Sequence, residues 1–364
     1  MSNIIEYKDI VAFHPGSYIA DIIEDMELTQ VEFAMRMGTT TKTLSYLLNG
    51  QANISNDLAK KLSVMLGTSV DVWLNLQATY DKKIIEIQQA KDFEEQEELV
   101  KNIDYKYFVD VAGLPNVKTM KEKVVNLCSH LKVADLRIML EPDFLVSYRT
   151  GISNVNKKNI LNSRIWIQTA INMSQSIKTE PYRSEKLKSF LPELRSMTIQ
   201  DPEVFLPRMR EIFAQCGVAF VLLPHLKNSG VNGAVKWISD ERVVLAINNR
   251  GLDADKFWFS LFHEIKHVLQ KKTKTVFISY NEKEMIDANN QFEIEADNFA
   301  MNYLISPTAM KRFSPSKYTS DEEIIDFAKS IGIHPGIVAG RLQHEKIILP
   351  NRCSKLKEKY IVKF

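Results

Sequence analysis

The sequence predicts a mainly α-helical protein with several domains. The chain has 364 residues, more than a single hydrophobic core usually serves, so two or three domains are expected. Apolar residues recur at helical spacing through most of the chain, and three short apolar runs after residue 217 have the pattern of strands. We therefore expect an all-α module at residues 1–80, an all-α connector and middle domain at 81–200, and an α+β domain with a small mixed or antiparallel sheet at 201–364.

The composition is that of an ordinary soluble globular protein, with 45% apolar and 25% charged residues. No apolar run reaches the length of a membrane span, and the first residues lack a basic-then-apolar signal segment. Cys128, Cys216 and Cys353 are scattered and form no metal-binding or disulfide spacing, which fits a reducing cytoplasm. The net charge of +2 does not indicate a class of partner.

The first 80 residues are expected to form a compact bundle of short helices. Thr29 can cap a helix that Gly38 ends, and Thr40 can cap the next helix, at residues 41–49. A helix, a tight glycine turn and a second short helix make up the helix-turn-helix unit, whose second helix enters the DNA major groove. The residues expected to face DNA are Thr41, Lys42, Ser45 and Tyr46 on the second helix, with Gln30 near the DNA backbone.

The charge of this module argues against strong non-specific DNA binding. Residues 1–80 contain five Lys and Arg against nine Asp and Glu, a net charge of −4. Attraction to phosphates should therefore be weak. A bundle that serves only structure, or that binds protein rather than DNA, stays open as an alternative.

The middle of the chain carries helical patterns without a chemical motif. Residues 81–102 are polar and charged, as expected for a solvated helical connector, and residues 105–200 alternate helical patterns with turn signals. A helix is expected to begin at Pro202. The apolar runs at 218–223, 233–238 and 242–247 follow, and the last two are expected to pair as an antiparallel hairpin.

An apolar helix predicted for residues 257–269, with Asp253 as its candidate N-cap, contains the sequence His-Glu-Ile-Lys-His. His263 and His267 are four residues apart, so their imidazoles project from one face and suit two ligands of a tetrahedral Zn²⁺. Glu264 lies beside this pair. From there it can accept a proton from an attacking water, which is the general-base role in a zinc peptidase.

A second predicted helix, around residues 292–300, offers the third ligand. Glu293 and Asp297 fall on one face of it, whereas Glu295 points roughly 160° away from Glu293. We assign Glu293 as the ligand and Asp297 as the carboxylate that fixes the tautomer of a ligand histidine, with Glu295 as the fallback ligand. Two core histidines on an inert helix are the alternative, and a purely structural site would need four protein ligands.

Both ends of the chain resemble known families. The pattern L-T-Q-x-x-F-A-x-x-x-G, then L-L-N-G and W-L-x-L-Q, resembles the Cro/repressor-type helix-turn-helix and HigA-like antitoxins in particular. From about residue 201, N-G-A-V-K-W, the F-W-F-x-L-F-H-E-x-x-H helix, E-x-E-A-D-x-F-A, L-I-S-P and I-V-A-G-R-L-Q resemble the ImmA/IrrE metallopeptidases. This second resemblance covers roughly the last 150 residues and implies a zincin-like fold. Lys266 departs from the small or apolar residue that is commoner at its position in such helices.

The resemblance implies Zn²⁺ at His263, His267 and Glu293 with Glu264 as the base. It also implies regulated cleavage of a repressor or antitoxin-type protein in stress, mobile-element or toxin–antitoxin control. The partners expected are a DNA operator bound by a homodimer, a protein substrate and a toxin as a further candidate, with no membrane. The alternative is a non-catalytic antitoxin or transcriptional repressor whose metal site is silent or structural.

The substrate is expected to bind as an added strand. The run Ala234, Val235, Lys236, Trp237 and Ile238 is short, precedes the histidine helix and alternates as a half-exposed strand does. If it lies at the edge of the sheet, its backbone can pair with an extended peptide. If it lies inside the sheet, the peptide must bind elsewhere.

Overall fold

The computed structural model describes residues 3–141, 157–248, 253–270 and 282–360. These residues form fifteen α-helices and two small sheets, which confirms the predicted mainly α, multidomain fold class. Two compact units are present, Met1–Glu98 and Leu99–Phe364. None of the described helices combines the length with the apolar character that a membrane-spanning helix requires. The predicted boundaries near residues 80 and 200 stay predictions.

Unit 1 contains a short antiparallel hairpin followed by helices. Its elements are β1 (Ile4–Tyr7), β2 (Ile10–Phe13), α1 (Pro15–Asp25), α2 (Gln30–Arg36), α3 (Thr41–Leu48), α4 (Asn56–Leu66) and most of α5 (Val70–Val100). The β-hairpin was not predicted. Each strand has only four residues, and neither IIEY nor IVAF alternates apolar with polar residues, so the alternation that signals a strand is absent.

Helices α2, α3 and α4 of unit 1 begin at capping residues, which include the predicted caps Thr29 and Thr40. Thr29 and Glu32 make a reciprocal capping box at α2, and the side chains of Thr40 and Ser55 accept from backbone N–H groups at the starts of α3 and α4. Gly67 ends α4 in the left-handed conformation. The buried face of these helices forms one core that includes Ile19, Phe33, Leu44, Leu47, Leu62 and Trp73.

His14 caps α1 with a neutral imidazole. Its Nδ1 accepts from the Gly16 N–H at 3.0 Å, and the residue is buried. A Cβ at Gly16 would lie 2.0 Å from the Leu47 carbonyl oxygen, so only glycine allows α1 to lie this close to α3. Burial lowers the pKa of His14, although the Asp81 carboxylate and the Ala52 carbonyl oppose the shift. A proton on Nδ1 would also remove the cap.

We expect unit 1 to lose stability in acid through His14. Its folded pKa is below its unfolded pKa, so the unfolded chain binds the proton more readily, and the stabilisation present above the unfolded pKa of about 6.5 is lost as pH falls. Amide hydrogen exchange in α1 should therefore accelerate as the pH falls below about 6.5, after correction for intrinsic rates. His14→Asn retains an acceptor for Gly16 and cannot titrate, so its protection should change less. Equal changes in the two proteins would contradict this assignment.

Unit 2 begins with helices that precede the sheet. They are α6 (Tyr105–Ala112), α7 (Met120–Leu131), α8 (Lys157–Ser174), α9 (Ser184–Ser196) and α10 (Pro202–Gln215). The hydroxyl of Tyr107 and the indole N–H of Trp166 both donate to the Pro224 carbonyl, each at 2.9 Å. Helices α6 and α8 thus lie directly against the end of the first strand of the sheet.

The sheet of unit 2 has three strands, β3 (Val218–Leu223), β4 (Gly233–Ser239) and β5 (Arg242–Asn248). The strand order is β3-β5-β4, with β3 parallel and β4 antiparallel to β5. The predicted hairpin is therefore β4–β5. Strand β3 is buried along its whole length, whereas β4 is partly exposed and forms an edge of the sheet as far as the described residues extend.

The remaining helices are α11 (Ala254–Leu269), α12 (Glu282–Leu304), α13 (Pro307–Phe313), α14 (Asp321–Ile331) and α15 (Pro335–His344). Helix α11 packs against β4 and β5, and α12 and α15 pack against α11. Trp258, Leu261, Phe262, Ile265 and Val268 bury the apolar face of α11 in the main core. The other face of α11 carries the two histidines of the motif.

The first turn of α11 is held by residues that follow α15. The Ala254 N–H donates to the Glu358 carbonyl at 2.8 Å, and the Trp258 indole donates to the Tyr360 hydroxyl at 2.7 Å. Asp253 occupies the predicted N-cap position, although its side chain makes no capping hydrogen bond. Its carboxylate accepts from Lys256 Nζ at 2.6 Å instead.

Candidate metal centre

The structure brings His263, His267 and Glu293 together. Helices α11 and α12 pack against each other, and one donor atom from each of the three residues lies within 4.8 Å of the others. His263 Nε2 is 2.9 Å from His267 Nε2 and 3.2 Å from Glu293 Oε2, and His267 Nε2 is 3.5 Å from Glu293 Oε1. Three donors of the types that zinc prefers therefore converge on one point.

The other nitrogen of each imidazole has its own partner. His263 Nδ1 is 2.9 Å from Asp297 Oδ1, as the spacing of Glu293 and Asp297 predicted. His267 Nδ1 is 2.9 Å from Gln270 Oε1. Because a carboxylate or an amide oxygen can only accept, both Nδ1 atoms are assigned the proton, and both Nε2 lone pairs then face the common point.

The donor set fits a tetrahedral zinc ion. Zn–N bonds of about 2.0–2.1 Å at the tetrahedral angle place two donors about 3.3 Å apart, close to the three separations between these residues. Two unprotonated Nε2 atoms at 2.9 Å would repel each other unless a cation or a proton lay between them. Three protein ligands leave a fourth position for water or substrate, which is the arrangement of a catalytic zinc site.

The surrounding carboxylates favour positive charge at this point. Burial opposes a charged His263, but hydrogen bonds to Asp297 and Glu293 outweigh it and raise the pKa of His263 to about 10. Burial likewise opposes the charged form of Glu293, but its bonds to His263 and His267 lower its pKa to about 2. The raised pKa of His263 and the lowered pKa of Glu293 both show that this centre favours positive charge.

Glu264 follows His263 in α11 and lies against the first residue of β4. It is 6% exposed, and its carboxylate packs against Gly233, the first residue of β4. A Cβ at position 233 would lie 2.6 Å from Glu264 Cγ and 2.7 Å from its Oε1, so the carboxylate occupies the space that a side chain would need. The candidate base is thereby held next to the predicted substrate strand.

Lys266 and Glu295 pair with each other on the α11–α12 interface. Lys266 Nζ is 3.6 Å from Glu295 Oε2, and Gln270 Nε2 donates to the same carboxylate oxygen at 3.2 Å. Glu295, the fallback ligand, therefore lies outside the three-donor cluster and supports Gln270, which in turn holds His267. The unusual lysine at position 266 has a local electrostatic partner.

Two contributors to the centre were missed from the sequence. Gln270 lies three residues after His267, within reach on the same helix face, and that spacing could have identified it. The role of Gly233 depends on packing between a strand and a helix and has no local signal. Two further polar residues of this domain make structural bonds: His334 caps α15, and Arg341 donates to the Met301 and Ile305 carbonyls.

The residues predicted to contact DNA lie on or beside the helix-turn-helix. Gln30, Thr41, Lys42 and Tyr46 are exposed, Ser45 is half-buried, and Lys42 Nζ lies 5.7 Å from the centre of the Tyr46 ring. Leu44, Leu47 and Leu48 turn inward. The structure thus presents all five predicted residues outside the core of unit 1.

Comparison with known protein families agrees with these two parts. Residues 19–73 match a helix-turn-helix family, and residues 221–343 match the IrrE N-terminal-like domain, a peptidase family. The second match contains β4, β5, α11 and α12 and so includes every residue of the metal centre. The resemblance inferred from the sequence is confirmed for both ends of the chain.

The individual relatives found align with short parts of the chain. An uncharacterized HTH-type transcriptional regulator, YddM, of Escherichia coli is 40% identical over 63 residues, which are 17% of this chain and 67% of that protein. The virulence-associated protein A' of Dichelobacter nodosus is 35% identical over 69 residues, 19% of this chain and 60% of its own length. A solved addiction module antidote protein of a HigA family from Coxiella burnetii is 29% identical, with 23% of this chain and 92% of that chain covered and a TM-score of 0.22.

Proposed function

The chain joins a Cro/repressor-type helix-turn-helix domain to an IrrE N-terminal-like domain, and we propose that it is a DNA-binding regulator with zinc-dependent endopeptidase activity. One observation carries the peptidase part. Three zinc-type donors, a buried carboxylate beside them and an edge strand against that carboxylate occur together in one family-matched domain. The proposed substrate class is a repressor or antitoxin-type protein, because the peptidase domain is fused to a domain of that type.

Each residue of the centre has a role in this proposal. His263, His267 and Glu293 would hold zinc, which when bound polarises a scissile carbonyl and acidifies the attacking water. Glu264 accepts the proton of that water and returns it to the leaving amine. Asp297 and Gln270 keep the imidazoles in the tautomer that presents Nε2.

Peptide cleavage should depend on bound zinc. The test is to incubate zinc-loaded and chelator-treated full-length protein with a cell lysate and to identify newly formed N-termini by mass spectrometry. New N-termini that occur only with the zinc-loaded protein, and in only a few proteins, would support a selective endopeptidase. Identical sets of N-termini in both samples would contradict it.

The substrate is proposed to bind along β4. This strand forms the sheet edge, and its first residue contacts Glu264, so a peptide added to β4 would run past the candidate base. Main-chain pairing requires an extended segment, which favours an unfolded or hinge region of the target over a folded surface. Specificity would then come from a few side-chain contacts.

Proline substitutions in β4 test this binding mode. N–H groups along an edge strand alternate between the neighbouring strand and the outside, so one of Val235 and Lys236 directs its N–H outward. At that position, proline should abolish cleavage while zinc content and melting temperature stay near the wild-type values. Unchanged cleavage in both variants, with both folded, would exclude strand addition. Loss of the fold in both would place the strand inside the sheet.

The helix-turn-helix is proposed to bind a palindromic operator as a homodimer, with α3 in the major groove. Replacing Lys42 by Glu together with Tyr46 by Ala should remove a DNase footprint on the promoter of the chain's own gene, because both exposed side chains lie on the proposed groove face. Lys60→Glu, an exposed substitution on α4, makes the same change of charge and serves as the control. A footprint that survives the double substitution would rule out this face of α3.

A further inference from the structure

Unit 2 contains a cavity of about 450 Å³ that none of the roles above uses. It lies beside α11, on the side of Phe259 and Ser260, the helical turn that precedes His263. Leu304 of α12 and Tyr360 contribute to a largely apolar wall. The metal-ligand candidates and Glu264 are not among its lining residues.

One end of the cavity is polar and buried. Asp255, in the first turn of α11, is 9% exposed, and its Oδ2 accepts from Lys357 Nζ at 2.8 Å. Its Oδ1 is buried and has no hydrogen-bond partner among the described residues. A Cβ on Gly340 would lie 2.3 Å from Oδ2, so the glycine makes room for this carboxylate. A buried acceptor of this kind needs a donor, from water in the free protein or from a ligand.

The dimensions favour a small molecule over the side chain of a bound polypeptide. A volume of about 450 Å³ is within the range of roughly 300–1,000 Å³ that is usual for small-molecule sites. Asp255 precedes His263 by two helical turns, about 12 Å along the axis, which is more than one side chain spans from a peptide held at the metal centre. The Lys357 charge balances that of Asp255, so a neutral ligand suits the polar end.

We propose that this cavity binds a neutral, mostly apolar small molecule whose N–H or O–H group donates to Asp255 Oδ1. The apolar body of the ligand lies against Phe259 and the walls contributed by α12 and α15. Because Phe259 and Ser260 precede His263 on the same helix, the occupied site adjoins the metal centre without overlapping it. The proposal concerns binding and stands whether or not the chain cleaves peptides.

Two probes of matched shape test whether binding depends on a hydrogen-bond donor in the ligand. N-phenyl-1-naphthylamine is neutral, fluoresces in apolar surroundings and has one N–H, whereas phenyl 1-naphthyl ether has nearly the same shape and no donor. The amine should bind the full-length protein saturably at one site per chain. The ether should displace it with about tenfold weaker affinity, since a hydrogen bond to a carboxylate contributes at least that factor.

Three variants locate the site. Met301→Trp enlarges a half-buried side chain in the wall and should weaken binding of the amine about tenfold or more, because it fills part of the cavity. Asn302→Trp, at the next and exposed position of α12, should leave it unchanged. Asp255→Leu combined with Lys357→Met replaces the ion pair by apolar groups of similar size and should make the two probes bind equally.

Several outcomes would overturn the proposal. They are absence of saturable binding, equal binding of the two probes to the wild type, and binding that Met301→Trp does not weaken. Displacement of the amine by reduced, carboxymethylated α-lactalbumin would identify the occupant as a polypeptide side chain instead. Thermal unfolding of each variant shows whether lost binding reflects a lost fold.

Discussion

Replacing Glu264 by glutamine should leave zinc and the fold in place and reduce peptide cleavage by about 10²–10⁴-fold. The amide has nearly the same size and can occupy the space beside Gly233, but it cannot accept a proton from the attacking water. Zinc content measured by elemental analysis, the melting temperature and the number of zinc-dependent new N-termini are the three readouts.

Glu203→Gln is a matched control, since Glu203 is exposed on α10 and takes no part in the centre. This control should cleave like the wild type. If Glu264→Gln instead retains the full biological effect in cells, the chain acts through binding alone, as a non-catalytic antitoxin or repressor would. Glu264→Gln and Glu203→Gln should therefore differ in peptide cleavage and agree in zinc content and melting temperature.

Removing any one of His263, His267 and Glu293 should abolish tight zinc binding, whereas the wild type should carry about one zinc ion per chain. Each alanine variant leaves two ligands, too few for the site. Asp297→Ala and Gln270→Ala should weaken zinc affinity by about 10–100-fold, because they release the imidazoles from their fixed orientations.

Glu295→Ala distinguishes the two carboxylates of α12. Its partners are Lys266 and Gln270, so the variant should retain zinc, with a modest loss through Gln270. Full zinc occupancy in Glu293→Ala, together with loss of zinc in Glu295→Ala, would show that Glu295 and not Glu293 is the zinc ligand. Isothermal titration with zinc, after removal of metal, gives the affinities of all these variants.

The sequence predicted those features that depend on local spacing. Capping residues and glycines located the helices of unit 1, and the spacing of His263, His267, Glu293 and Asp297 determined which atoms share a helix face. The parallel pairing of β3 with β5 and the contact between Gly233 and Glu264 depend on residues far apart in the chain. Periodicity carries no information about such contacts.

Some features of single residues and short segments also could not be predicted from the sequence. Asp253 has the identity and position of an N-cap, yet its carboxylate bonds Lys256 and makes no capping hydrogen bond. The short strands β1 and β2 escaped prediction because neither four-residue sequence alternates apolar with polar residues. The preference of a residue for a structural role can be estimated from the sequence. Which neighbouring group it bonds is known only once the fold is known.

The open edge of β4 also affects the behaviour of the protein in concentrated solution. A row of backbone groups that can hold an extended peptide can equally hold the same row of another copy, which leads to sheet-like aggregates. The half-buried Lys236 places a charge on this strand, and the irregular pairing between Trp237 and Ser239 bends its end. Both features oppose pairing between copies, so colloidal stability should depend on ionic strength, because salt screens the repulsion between the lysines of two approaching molecules.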